Sequence, residues 1–247
     1  VSTLLPRIIE RRLPSQLEPE EVLEALKDSI SELSAMLRRR GEDEPELHGM
    51  GSTVVLALVS GEDVYIAHLG DSRAYLLRRG TLQQLTSDHT WVAERVAAGI
   101  LTAEEATRHD MRHIVTRSLG AKPLVEADVS QHLFLPGDRL LLCTDGVWEP
   151  VPDREMARLL KQGNPQTAAN ALVSRAVAAG GAERTQHTAR NTQHAIRCPY
   201  RSAKPKESAL QHNGSGRRRR HRRGHRGRCL RLLPLRSCLL YTSDAAD

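Results

Sequence analysis

The apolar positions of the chain change their period along its length. Between Pro19 and Arg40, Val22, Leu26, Ile30, Leu33 and Leu37 recur at four- and three-residue steps and form one face of a helix. Pro19 suits a first turn, Glu20, Glu21 and Glu24 sit at its positive end, Arg38 to Arg40 at its negative end, and Gly41 stops it. From Ser52 the spacing shortens to that of strands: Thr53–Val59, Val64–Leu69, Ala74–Arg78 and Thr81–Leu85. Ser60-Gly61-Glu62-Asp63, Gly70-Asp71-Ser72-Arg73 and Arg79-Gly80 break them apart. Four short strands with tight turns predict an antiparallel meander. The stretch from Trp91 to Leu119 is polar and helical, with a capping-box-like start at Thr102-Ala103-Glu104-Glu105. So long a segment between strands is a candidate lid. Arg139–Thr144 is a continuous apolar strand ending at Asp145-Gly146, and Asp153–Leu160 and Pro165–Ala179 read as helices. After Gly181 the periodicity disappears.

Charge divides the chain at the same place. Residues 1–181 carry 20 Lys+Arg against 26 Asp+Glu, whereas 182–247 carry 16 against 4, so the formal net charge of +6 belongs to the last quarter. Arg217 to Arg228 would suit a disordered basic arm for nucleic acid. The favoured reading of 182–247 is a frameshifted tail, because its Arg, His, Ser and Gly content is what GC-rich coding DNA gives out of frame. Its end, Cys238-Leu-Leu-Tyr-Thr-Ser-Asp-Ala-Ala-Asp247, resembles a translated sequencing adapter. The expected division is therefore a folded domain over 1–181 and a low-complexity, disordered tail over 182–247, with no nucleic-acid partner. No apolar run approaches the ~20 residues of a membrane span, and no signal-peptide pattern opens the chain. Cys143 lies in an apolar run as a small buried hydrophobe. Cys198, Cys229 and Cys238 have neither zinc nor disulfide spacing, which points to a reducing, cytoplasmic setting.

Two carboxylates are distinguished by position. Asp71 follows a strand in a Gly-Asp-Ser turn, and Asp145 closes the most hydrophobic strand of the chain. A carboxylate held rigidly at the end of a buried strand favours a cation, and hard ions such as Mg²⁺ and Mn²⁺ take oxygen ligands. Glu149, four residues beyond Asp145, could turn back to the same ion. Asp-Gly is also an ordinary turn dipeptide, so each residue taken alone reads as a turn ahead of a ligand.

The whole series of short sequences is more specific. Gly49-Met50-Gly51-Ser52-Thr53, His68-Leu69-Gly70-Asp71-Ser72-Arg73-Ala74-Tyr75, Leu85-Thr86-Ser87-Asp88-His89-Thr90, Ile114-Val115-Thr116-Arg117-Ser118-Leu119-Gly120 and Leu140-Leu141-Leu142-Cys143-Thr144-Asp145-Gly146-Val147-Trp148-Glu149 follow one another in order. This series resembles the metal-dependent protein phosphatase family, the type 2C serine/threonine phosphatases, in their bacterial form, over Val1 to Gly181. The resemblance implies an α+β fold, an α-β-β-α sandwich with a cluster of two or three Mn²⁺ or Mg²⁺ ions at one edge. There, a water bridging two ions attacks the phosphorus of phosphoserine or phosphothreonine. It assigns Asp145 as a core metal ligand and Asp71 and Glu149, with Asp145, as holders of a weaker ion. Thr53 takes a position that orients a ligand, Asp88 and His89 take a structural one, and Trp91 to Thr116 forms a flap beside the site.

The chain also departs from the family pattern. A phosphate-gripping Arg, a bridging Asp in an early Asp-Gly motif and a general-acid His are absent, and Ala182-Glu183-Arg184-Thr185 stands where the family has Asp-Asn after Gly180-Gly181. The expectation is a sandwich incomplete at both ends and an inactive fragment of a phosphatase. The expected substrates are phosphorylated proteins, the targets of a bacterial serine/threonine kinase. A non-catalytic phosphatase-like binding module is the alternative.

Overall fold

The computed structural model describes residues 1, 4–13, 18–180, 194–197 and 230–232. Helices α1 (Leu4–Arg12) and α2 (Pro19–Asp43) lead into β1 (Val54–Ser60), β2 (Asp63–Leu69), β3 (Arg73–Arg78) and β4 (Thr81–Gln84). Two short helices, α3 (Trp91–Ala97) and α4 (Ala103–Arg108), and a 3-10 turn at Asp110–His113 make up the flap segment. β5 (Asp128–Leu133), β6 (Arg139–Cys143), α5 (Asp145–Trp148), α6 (Asp153–Leu160) and α7 (Pro165–Gly180) follow, then β7 (His194–Arg197) and β8 (Leu230–Leu232).

The expected meander is not one sheet. β1 and β2 form a hairpin in a sheet ordered β5-β2-β1-β8, while β3 and β4 form a hairpin in a second sheet ordered β4-β3-β6-β7. The chain changes sheet between Leu69 and Arg73. The reason lies in burial: β2 is covered from Val64 to Leu69 and β3 from Ala74 to Leu77, so neither strand has a water-facing side, as a single-layer meander would require. β5 was not anticipated, because its polar run Asp-Val-Ser-Gln-His-Leu is an edge strand, half exposed along its length.

Three apolar clusters account for the layering. Val22, Leu26, Ile30 and Leu33 of α2 pack with Leu5 and Ile9 of α1 onto Leu56, Leu58, Tyr65 and Leu69. The opposite faces of the two sheets meet through Ala57, Val59, Val64 and Ile66 on one side and Ala74, Leu76 and Leu140 on the other. Tyr75, Leu77, Leu141 and Cys143 turn outward to Met156, Leu160, Leu172 and Ala176 of α6 and α7. Cys143 is the buried hydrophobe expected, and its burial pushes the thiol pKa up. The five apolar positions read from α2 are all buried, and Thr102 and Glu105 close a reciprocal capping box on α4.

Most of 182–247, including Arg217 to Arg228 and the other three cysteines, lies outside the described residues. Within it His194–Arg197 pairs with β6 and Leu230–Leu232 with β1, both antiparallel. Among the described residues no helix is long and apolar enough to cross a membrane.

Candidate metal centre

Strand register brings the two aspartates together. β3 and β6 are antiparallel neighbours with Arg73 opposite Cys143, the first residue of one against the last of the other. Asp71 and Asp145 lie two residues beyond that pair, close enough for the charge of Asp145 to act on Asp71. Asp71 is only 8% exposed. Burial, then the charges of Asp145 and Asp88, push its pKa up to about 6. Among the described residues no cation pairs with it. Arg73, two residues away, is committed to Asp88, with Nε at 2.9 Å from Oδ1 and Nη2 at 2.7 Å from Oδ2.

The turn that carries Asp71 is held at every residue. Gly70 has φ +108°, and a Cβ there would stand 2.5 Å from Thr53 Cγ2, so the crossing between sheets requires glycine. The Gly70 amide donates to His89 Nδ1 at 3.1 Å, and the Asp71 carbonyl accepts from Trp148 Nε1 at 3.1 Å. Thr53 Oγ1 and Ser72 Oγ share a buried hydrogen bond of 2.8 Å. Thr53 thus steadies the residue beside Asp71. Asp145 opens α5 and accepts the Gly146 amide at 2.7 Å through Oδ1. Glu149 follows one helical turn later, more open to solvent, with its carboxylate 3.6 Å from His113 Nε2 of the flap. The structure therefore joins Asp71 to Asp145 and sets Glu149 against the flap.

The sequence pattern described as Protein phosphatase 2C matches residues 2–185. The chain belongs to that family. It is 41% identical over 145 residues to the serine/threonine phosphatase stp of Listeria welshimeri, covering 59% of this chain and 58% of that protein. With the serine/threonine protein phosphatase PstP of Mycobacterium tuberculosis it shares 35% identity over 161 residues, 65% of this chain and 31% of the relative. The chain thus spans about half or less of the length of these curated relatives. A crystal structure of the Mycobacterium tuberculosis phosphatase PstP/Ppp superposes with a TM-score of 0.64 at 33% identity, covering 73% of this chain and 76% of that one. A structure of the catalytic domain of PstP in complex with two manganese ions superposes at 0.59, with 31% identity over 72% and 74% of the two chains.

Phosphatases of this family use Mn²⁺ or Mg²⁺, and the donor set at this edge fits such an ion. Asp71 and Asp145 are hard oxygen donors that repel each other, and one of them is buried without a protein cation, a cost that a divalent ion offsets. A second group, His68, His89 and Asp128, brings two imidazoles and a carboxylate within 4.8 Å of one another. Its hydrogen bonds argue against a metal there. His89 Nδ1 already accepts from Gly70, so in the neutral ring the proton sits on Nε2, which lies obliquely 3.2 Å from Asp128 Oδ2. Burial lowers the His89 pKa, and its stacking on His68 at 4.7 Å fixes the plane. Binding a metal at Nε2 would cost that proton or the Gly70 bond.

Asp88 and His89 serve as anchors: one holds Arg73, the other Gly70. Sequence reasoning missed Arg73 and Trp148. Arg73 lies with its guanidinium carbon 3.4 Å from the Trp148 ring centroid, and its Nη1 donates to Tyr75 Oη at 2.8 Å. The available signal was position, since Trp148 falls between two candidate ligands on a single helical turn.

Proposed function

We propose that this chain is part of a metal-dependent serine/threonine protein phosphatase that hydrolyses phosphoserine and phosphothreonine in proteins. The observation that carries the reading is the closeness of the Asp71 and Asp145 carboxylates beyond the paired ends of β3 and β6, within a chain of this family. Asp145, Asp71 and Glu149 would hold Mn²⁺ or Mg²⁺, with Thr53 steadying the Asp71 turn through Ser72. When bound, such ions supply the Lewis-acid chemistry of phosphoester hydrolysis. The residues present do the rest: Asp145 is fixed at the end of a buried strand, Asp71 is held almost wholly out of water, and the flap reaches the same edge through His113. The substrate is a phosphorylated protein, the product of a bacterial serine/threonine kinase, met in the cytoplasm.

The test is Mn²⁺-dependent hydrolysis of p-nitrophenyl phosphate by the whole protein. Asp145→Ala abolishes it, a fall of at least about 100-fold, and Asp71→Ala lowers it less. Unchanged turnover in Asp145→Ala removes the assignment.

A further inference from the structure

The two carboxylates of the candidate centre stand on separate pieces of chain, and neither piece is self-supporting. Asp145 opens α5, a four-residue helix that cannot persist alone, and Glu149 caps its end. Asp71 belongs to a turn with a left-handed glycine. Like charges push the two apart. A hydrogen bond crosses directly between the pieces, from Trp148 Nε1 to the Asp71 carbonyl, at 3.1 Å. Trp148 is itself pinned. The Arg73 guanidinium covers its face at 3.4 Å, and Arg73 has no freedom to leave, since Asp88 takes its fork and Tyr75 Oη its remaining end. Behind the turn, His89, next to Asp88, takes the Gly70 amide.

We infer that Trp148, clamped by Arg73, is a positioning residue: its indole N–H sets the distance between the Asp71 turn and α5, and metal affinity depends on it without its touching the metal. This inference rests on the metal-centre reading above. The Asp88-His89 pair then has two functions, Asp88 locking the arginine that locks Trp148 and His89 locking the other side of the same turn. A cation–π contact across a guanidinium held at both ends is rigid, which is what a spacer between repelling carboxylates requires.

The experiment compares the full chain with Trp148→Phe, which keeps an aromatic face for Arg73 and removes the donor with part of the ring. Mn²⁺ binding is followed by the electron paramagnetic resonance signal of free Mn²⁺. Backbone hydrogen exchange at Gly70, Asp71 and Ser72 is measured without metal. The expected result is a dissociation constant about tenfold weaker, with faster exchange at the three amides and unchanged exchange in β1 and α2. Arg73→Lys, which cannot both stack and grip Asp88 in a fork, shifts both readings the same way and serves if Trp148→Phe folds poorly. Wild-type affinity in Trp148→Phe overturns the inference, and so does unaltered exchange at 70–72. If the wild-type chain itself binds no Mn²⁺, the metal reading fails and the exchange rates alone decide the clamp.

Discussion

The two ends of β3 treat a buried aspartate in opposite ways. At its far end Asp138, 3% exposed, receives the Arg78 guanidinium through Nε at 3.1 Å and Nη2 at 2.6 Å and the Leu135 amide at 2.8 Å. Near its start Asp71, almost as deeply buried, has an arginine two residues away that is turned to Asp88 instead. The first aspartate is neutralised by the protein. The second is left with a raised pKa, beside another carboxylate. The two ends of one strand thus present a finished structural ion pair and an unpaired carboxylate, and the difference supports the proposed place for a cation from solution.

The comparison can be broken most sharply at the finished end. Asp138→Ala strips Arg78 of its partner and leaves the Leu135 amide unbonded. It is expected to lower unfolding stability by about 3–4 kcal/mol in urea melts, without changing Mn²⁺ affinity in the fraction that stays folded. A loss below about 1 kcal/mol would mean that the pair is merely superficial. At the other end the sign reverses. A carboxylate whose folded pKa lies near 6, above its unfolded value, stabilises the fold while protonated, and that contribution disappears as pH rises through about 4 to 6. Asp71→Asn should therefore melt higher than the parent at pH 8 in chelator, by up to about 3 kcal/mol, and should match it near pH 3.5. In Mn²⁺ the gap is expected to close, because the parent alone gains the ion that Asp71 helps to hold. A lower melt for Asp71→Asn at pH 8 without metal would show that the carboxylate is compensated after all. The smallest effect separates two glycines of positive φ. Gly70→Ala drives a methyl into Thr53, whereas Gly80→Ala meets only the mobile end of Lys161 at 3.0 Å. Gly70→Ala should be the more destabilising by about 1–2 kcal/mol, and equal melts would remove the requirement for glycine at the sheet crossing.

Much of this was legible in the residues, and the illegible part has a common cause. The α2 face, the four strands and the strand-end positions of Asp71 and Asp145 follow from local period and turn chemistry, which the chain carries in its own order. The split of the meander into two sheets does not, because Val64–Leu69 and Ala74–Leu77 look the same whether the next strand lies beside or beneath them. β5 escaped because an edge strand needs little apolar content. Arg73 could not be assigned from sequence, since Asp71 and Asp88 are both acidic and both near in the folded chain; only the geometry gives it to Asp88. Trp148 was hidden for the same reason: its partner is a backbone carbonyl far earlier in the chain, and carbonyls leave no trace in composition.

The sheet change at Gly70 has a consequence for the order of assembly. Asp71 and Asp145 meet only after β3 has found β6 across the flap and β5, a pairing between distant parts of the chain that closes slowly. A divalent ion therefore has nothing to grip in a half-built molecule. On the proposed assignment an ion binds only once both sheets have docked, and it then draws the equilibrium toward that state by mass action. The proposed centre would thus also be a late checkpoint, whose occupancy reports that the two sheets have docked.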